Sequence, residues 1–325
     1  MTSQTVTATG RSGKPENDRN AKTAKSGKNV RNGEGAGGER RKSLSLPRPS
    51  AFQYVVLGVL AVVFVFPIFW AVSSSLKPPA EIVSDPLHFS LGSLTLDNYR
   101  AMFADVPIGT GFLNTVLVVA VKGAMTMFFC PLAGYAFAKY RFPGKDLLFG
   151  VLMLTLMLPT LVLIIPLLLE MSQLGWVNTY QALILPGSID AFSIFWMRQT
   201  IAAVPDELLD AGRVDGASEF GIFARIVVPV IRPGIAALGV LTAMNIYNDF
   251  VWPVVAVNDE SHRTLQVVLS TLAQNVTGNR IGADFATVWG ELLAAGSIAM
   301  LPVLALFVLL QRHFINGILA GSVKG

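Results

Sequence analysis

The stretch Val204-Pro-Asp-Glu-Leu-Leu-Asp-Ala-Gly-Arg-Val-Asp-Gly-Ala-Ser-Glu-Phe-Gly-Ile-Phe-Ala-Arg-Ile-Val-Val-Pro-Val-Ile-Arg-Pro233 lies between two apolar segments and carries helix punctuation. Pro205 followed by Asp206 and Glu207 starts a helix, since proline suits the first helical position and acids in the first turn meet the positive end of the helix dipole. Leu208, Leu209, Ala211 and Val214 continue a short amphipathic pattern. Gly216 takes backbone angles closed to other residues, and Asp215 or Ser218 caps a second short helix running through Phe220 and Phe223. The expectation is two brief helices at an angle, projecting from whatever the flanking segments build. Pattern alone also admits an amphipathic helix lying on a bilayer surface.

Outward from this stretch the chain turns apolar. Its 325 residues are 52% hydrophobic and only 14% charged, with a mean hydropathy of +0.55, which is too apolar for a domain whose whole surface meets water. Uncharged runs over 49–76, 147–169 and 292–311 reach the roughly 20 residues needed to cross about 30 Å of hydrocarbon. The runs 112–138, 181–195 and 226–257 are interrupted by ionisable residues: Lys122 in the first, Asp190 in the second, Arg232 and Asp249 near the ends of the third. The spacing predicts an all-α membrane protein of six transmembrane helices over 49–325, with its core at about 108–312.

The first 48 residues are rich in Ser, Gly, Asn, Lys and Arg and have almost no large apolar side chains, so they cannot bury enough surface to fold. They are expected to form a disordered basic tail held in the cytoplasm by the positive-inside rule. Its charge suits anionic lipid and orientation rather than nucleic acid. Because 49–76 follows so long a polar segment, it reads as a retained anchor and not as a cleaved signal. Loops then alternate, with 139–146, 197–225 and 312–325 inside and 77–111, 170–180 and 258–288 outside. Lys139, Arg141, Lys145, Arg198, Arg213 and Arg225 crowd the short inside loops, which agrees with this assignment and puts both termini in the cytoplasm. Pro131, Pro159, Pro166, Pro186, Pro229, Pro233 and Pro253 fall within spans, where each removes a backbone donor and favours a kink.

Catalytic and cofactor chemistry finds little support. The single cysteine, Cys130, allows neither a disulfide framework nor a cysteine metal site, and His88, His262 and His313 are scattered. No Gly-Lys pair has a glycine five residues before it, so there is no P-loop. Any ATP and Mg must be handled by another chain, and no cofactor is expected on this one. A projecting cytoplasmic loop on a membrane protein without a nucleotide motif suits a docking element for a partner.

With those residues in view, 204–233 resembles the "EAA" loop of type I ABC importer permeases: Asp210-Ala211-Gly212, then Gly216, then Ile226-Val-Val-Pro229. Asp210 stands for the usual glutamate and Gly212 for the second alanine, a change expected to loosen the first short helix by about 1 kcal/mol. Asn114-Thr115, Ala133-Gly-Tyr-Ala-Phe-Ala-Lys-Tyr-Arg-Phe-Pro-Gly144, Tyr247-Asn-Asp-Phe-Val-Trp-Pro253, Arg263-Thr-Leu-Gln266 and the run from Gln311 to Gly325 are similar to the carbohydrate-uptake branch of that family, the maltose and oligosaccharide type. The resemblance implies a permease subunit with a second, larger permease, two ATPase subunits and an extracytoplasmic solute-binding protein, coupled to ATP through 204–225. It implies that Glu207, Asp210, Ala211, Gly212, Asp215, Gly216 and Ala217 form the coupling element. Phe220 and Phe223 either anchor it to the ATPase or pack against this subunit's own helices. Residues 317–325 are a secondary contact candidate.

An ionisable residue within a span costs roughly 2.5 to 3.5 kcal/mol on insertion scales and so faces the interior or a wet cavity. Lys122, Asp190, Asp249 and Glu291 are therefore pathway candidates, with Lys122 and Asp190 as a buried pair at mid-depth. Asn245, Tyr247, Asn248 and Trp252 beside Asp249 offer amides and an aromatic ring suited to a sugar, although an interfacial aromatic belt explains Tyr247 and Trp252 equally well. The rival readings are a permease for glycerol phosphate, a polyamine or an amino acid, and an ion-gradient-driven carrier, which would have no use for the 204–233 loop.

Overall fold

The computed structural model describes residues 50–88, 91–277 and 285–322. The expected basic tail, 1–48, lies outside them, as do the side chains of the 317–325 contact candidate. Contacts divide the chain into Met1–Gln53 and Tyr54–Gly325, and apart from residues 51–53 the features below belong to the second unit. Among the described residues there is no strand.

Among the described residues, three helices are long and apolar enough to cross a membrane: α1 (Ala51–Ser75), α4 (Ile108–Lys139) and the stretch Phe285–Leu306 of α15 (Phe285–Ser322). Two bent pairs pass the same test together. They are α5 (Lys145–Leu156) with α6 (Thr160–Gln173), at 103°, and the segment Glu219–Val230 with α12 (Arg232–Asn248), at 81°. The first bend falls at Leu158-Pro159, where proline supplies no donor and disfavours a helical residue before it. Counting each pair once gives up to five spans. The expected span at 181–195 is not one helix: α7 (Tyr180–Ile184) stops, Pro186 and Gly187 turn the chain, and α8 (Ala191–Ala202) restarts. Gly187 has φ +71°, a conformation that L side chains disfavour, which explains the break. Asp190 is consequently the N-cap of α8 and not a mid-helix residue; its carboxylate accepts from Ser193 N at 2.9 Å. The 226–257 run is also divided, with α13 (Val251–Ala256) following α12 after Asp249-Phe250.

The segments expected as outside loops contain helices of their own: α2 (Pro79–Ser84), α3 (Asp97–Asp105) and α14 (Leu265–Thr277). Met102, Ile108, Leu265, Val268, Leu272 and Val288 make one core between α3, α14, the start of α4 and α15. The Asn114-Thr115 pair fastens this end to α4. Asn114 Nδ2 donates to the carbonyls of Ser261 and Arg263, both at 2.9 Å, its Oδ1 accepts from Tyr180 Oη at 2.8 Å, and Thr115 Oγ1 accepts from Leu265 N at 2.8 Å. A second core joins α4 and α8 to the 204–233 stretch through Tyr135, Met197, Ile201, Leu209, Ile222 and Phe223. By contrast α1 buries only Ser73, Ser74 and Ser75. Its uncovered apolar face fits hydrocarbon, where the backbone is satisfied within the helix and the side chains need no polar partner.

Candidate functional site

The 204–233 stretch folds as two short helices, as the punctuation predicts. Helix α9 (Asp206–Val214) begins directly after Pro205 and carries Asp206 and Glu207 in its first turn. Gly216, at φ +77°, turns the chain. Of the two caps considered, Ser218 is the one used, accepting from Gly221 N at 3.2 Å to start α10 (Glu219–Ile222); Asp215 instead closes α9. A π-turn, Phe223–Val227, and α11 (Val228–Val230) lead to the bend before α12. Such one-turn insertions mark places where a helix is locally irregular, often at functional sites.

Two faces of this element differ. Glu207, Leu208, Asp210, Ala211, Asp215, Gly216, Ala217 and Phe220 are exposed, whereas Leu209, Gly212, Ile222 and Phe223 are buried. The two phenylalanines thus separate. Phe223 packs 5.3 Å from the Tyr135 ring inside the subunit, while Phe220 stays 62% exposed, and Leu208 and Val214 are exposed as well. Gly212 has a role beyond loosening α9. A Cβ there would come within 2.7 Å of Ile226 Cδ1 and 3.2 Å of Ile222 Cγ1, so glycine lets α9 lie close against the segment that follows.

Exposed charged residues of the element tie it to the end of α4. Lys139 Nζ donates to Val204 O at 2.5 Å and to Asp206 Oδ1 at 2.6 Å. Glu219 accepts from Tyr140 Oη at 2.6 Å and from Arg213 Nε at 2.9 Å, with Tyr135 Oη at 3.4 Å, and Arg213 Nη1 also donates to Asp210 Oδ1 at 2.8 Å. Hydrogen bonds from Arg213 and then Tyr140 hold the Glu219 carboxyl below its usual range, and Lys139 does the same for Asp206. Burial, followed by the bond to Glu219, raises the Tyr140 phenol. The reading from sequence had Arg213 and Lys139 only as topogenic charges and gave Glu219 no role. The sole signal for this cluster was the recurrence of Tyr and Lys at the end of α4 opposite acids in the loop.

The intramembrane candidates do not form one site. Lys122, Asp190, Asn245 and Asp249 line a common cavity of about 370 Å³ together with Thr126 and Phe192. Lys122 and Asp190 share this cavity, yet Lys122 forms no ion pair within 4 Å among the described residues, so the expected direct pair is absent. Tyr247 and Asn248 face a different cavity beside Gln266 and Met300, and the Tyr247 hydroxyl donates to Ala299 O at 2.8 Å. Trp252 is buried and donates to Ala182 O at 2.7 Å, which makes it a packing residue. Glu291, also buried, lies on α15 away from the shared cavity. Among the described residues no group of His, Cys, Asp and Glu is arranged to hold a metal.

Residues 131–319 match the family described as "Binding-protein-dependent transport system inner membrane component". The chain is 35% identical over 270 residues to the arabinooligosaccharides transport system permease protein AraQ of Halalkalibacterium halodurans, covering 82% of this chain and 93% of that protein. It is 36% identical over 276 residues to the lactose transport system permease protein LacG of Rhizobium radiobacter, covering 85% and 97%. A chain from the crystal structure of a bacterial ABC transporter involved in the import of the acidic polysaccharide alginate superposes with a TM-score of 0.72 over 82% of this chain and 99% of that one, at 22% identity. That likeness establishes the all-α fold of such a transmembrane domain.

Proposed function

Because the chain belongs to the family of binding-protein-dependent transport system inner membrane components, we propose that it is the permease subunit of an ATP-binding cassette importer carrying a sugar or oligosaccharide across the plasma membrane. The observation that carries this reading is the two-faced element α9–α10. Its outer face displays Glu207, Asp210, Ala211, Asp215, Gly216 and Ala217, while its inner face packs into the core shared with α4 and Asp206 and Glu219 bond it to that helix. A partner gripping the outer face therefore moves a membrane-crossing helix.

In this reading two ATPase subunits seat on 204–225 and hold the ATP and Mg themselves. A second, different and larger permease completes the pathway, and an extracytoplasmic binding protein delivers the cargo. Six passes are made by the three long helices, the two bent pairs and α7 with α8, leaving both termini in the cytoplasm. The arabinooligosaccharide and lactose systems named for the two relatives support a sugar as the cargo; glycerol phosphate is the alternative class that an uptake assay separates from it.

The test is reconstitution in liposomes with the ATPase, the partner permease and the binding protein, comparing wild type with Gly216→Pro. Proline fixes φ near −65°, against the +77° found at Gly216. ATP-dependent uptake of labelled oligosaccharide is expected for the wild type and is expected to be lost in the variant. Uptake that ignores the ATPase, or a variant as active as wild type, would sink the assignment.

A further inference from the structure

The cavity around Lys122 holds a group that the coupling mechanism does not use. Lys122 sits in the middle of α4, is only 9% exposed, and lines the same cavity as Asp190 and Asp249. Among the described residues its ammonium has neither a hydrogen bond nor an ion pair within 4 Å. A largely buried lysine is costly unless its donors are matched, and the three donors of this ammonium open onto the cavity. Space is kept open beside it: Gly187 has no side chain, and a Cβ there would stand 3.6 Å from Lys122 Nζ. The Asp190 carboxylate is already engaged, capping α8 through Ser193 N at 2.9 Å and accepting from Ser193 Oγ at 2.5 Å.

The cavity volume of about 370 Å³ falls in the range of small-ligand sites, roughly 300–1,000 Å³. Its wall offers an ammonium donor, carboxylate acceptors, the Asn245 amide and the ring of Phe192. Vicinal hydroxyls both donate and accept and so match such a set, and the apolar face of a sugar ring suits an aromatic neighbour. An anion does not match it. Two carboxylates face one ammonium, and at low dielectric the excess negative charge repels a phosphate or a sugar acid.

We infer that this subunit itself contacts the cargo, through a cavity in which Lys122 donates to the hydroxyls of an uncharged sugar residue while Asp249 and Asn245 complete the contact. The inference rests on the importer reading above and names the class of cargo: neutral sugar, not glycerol phosphate or an acidic saccharide. Lys122 is a cargo ligand here and not a counterion for the two aspartates.

The experiment uses the full reconstituted complex and reads molecules of cargo moved per ATP hydrolysed, with lactose, arabinotriose and glycerol 3-phosphate as probes. Wild type is expected to carry a neutral sugar, and Lys122→Met to lower sugar per ATP by about tenfold or more, as for loss of one charge-assisted hydrogen bond. The charge-balanced double variant Lys122→Met/Asp249→Asn is expected to stay defective. If the double variant regains the wild-type ratio, Lys122 is a counterion and the inference is overturned. An unchanged ratio in the single variant overturns it as well. A wild type that prefers glycerol 3-phosphate, or that hydrolyses ATP in response to the binding protein yet carries none of the probes, overturns the cargo class and leaves the coupling reading standing. Absence of any ATP response in the wild-type complex would instead bring down the importer reading and this inference with it.

Discussion

At Gly134 the backbones of α4 and α8 approach so closely that an added Cβ would lie 2.7 Å from Met197 Cβ and 2.9 Å from Arg198 N. Neither neighbour is the free end of a side chain, so the contact cannot be relieved locally. Gly134→Ala is expected to destabilise the subunit by about 1–3 kcal/mol through overpacking, seen as a lowered unfolding temperature in detergent. Gly239→Ala, where the new carbon would meet only Met127 Sδ at 3.5 Å, serves as the control and is expected to leave that temperature unchanged. Glycine thus does different work at neighbouring stations of the same core: Gly134 brings helices together, Gly212 beds α9 on Ile226, and Gly216 turns the chain. Only the last is legible without coordinates, because a turn announces itself in local sequence whereas a close approach depends on which segment arrives opposite.

Between α4 and the α9–α10 pair, part of the attachment is electrostatic, and that part depends on pH. Glu219 and Asp206 have folded-state values below their ordinary ones, so their contribution is present above the usual carboxylate range of about 4 and is lost as pH falls through the lowered values. Amide exchange in 206–227, corrected for its intrinsic pH dependence, is expected to stay slow from pH 8 down to about 4.5 and to quicken only below that range. Glu219→Gln removes the charge facing Arg213 and is expected to raise exchange in the same segment at neutral pH; a profile identical to wild type would show that the carboxylate does not hold the loop. The two helices themselves were legible in the sequence, from Pro205, the acids after it, Gly216 and Ser218. What held them was not, since Tyr135, Tyr140 and Lys139 lie 65 to 84 residues away in sequence from their partners and no local period links them. The division of 181–195 into α7 and α8 was missed for the opposite reason. Hydropathy counts apolar residues and is nearly blind to one Pro-Gly turn.

For the molecule as a whole, orientation is the expectation most directly open to test. Cys130 is the only cysteine and is buried, so added thiols can be read against a low background. Ala217→Cys is expected to react with a membrane-impermeant maleimide only after cells are opened, and Asn258→Cys in intact cells; the reverse pattern would invert the topology. Helix α4 crosses from one region to the other. It passes Lys122 and ends at Lys139, about 26 Å further on at 1.5 Å per residue, so the Lys122 cavity and the 204–225 loop are two stations on one structural member. Pro131 stands between them as the proline inside α4, and there the helix lacks a backbone hydrogen bond and yields first. Engineers call the result lost motion: the driven end of a linkage travels some distance before the far end answers. On the proposed importer reading, it would place movement of the 204–225 loop ahead of any change at the Lys122 cavity, an order that one missing amide hydrogen would set.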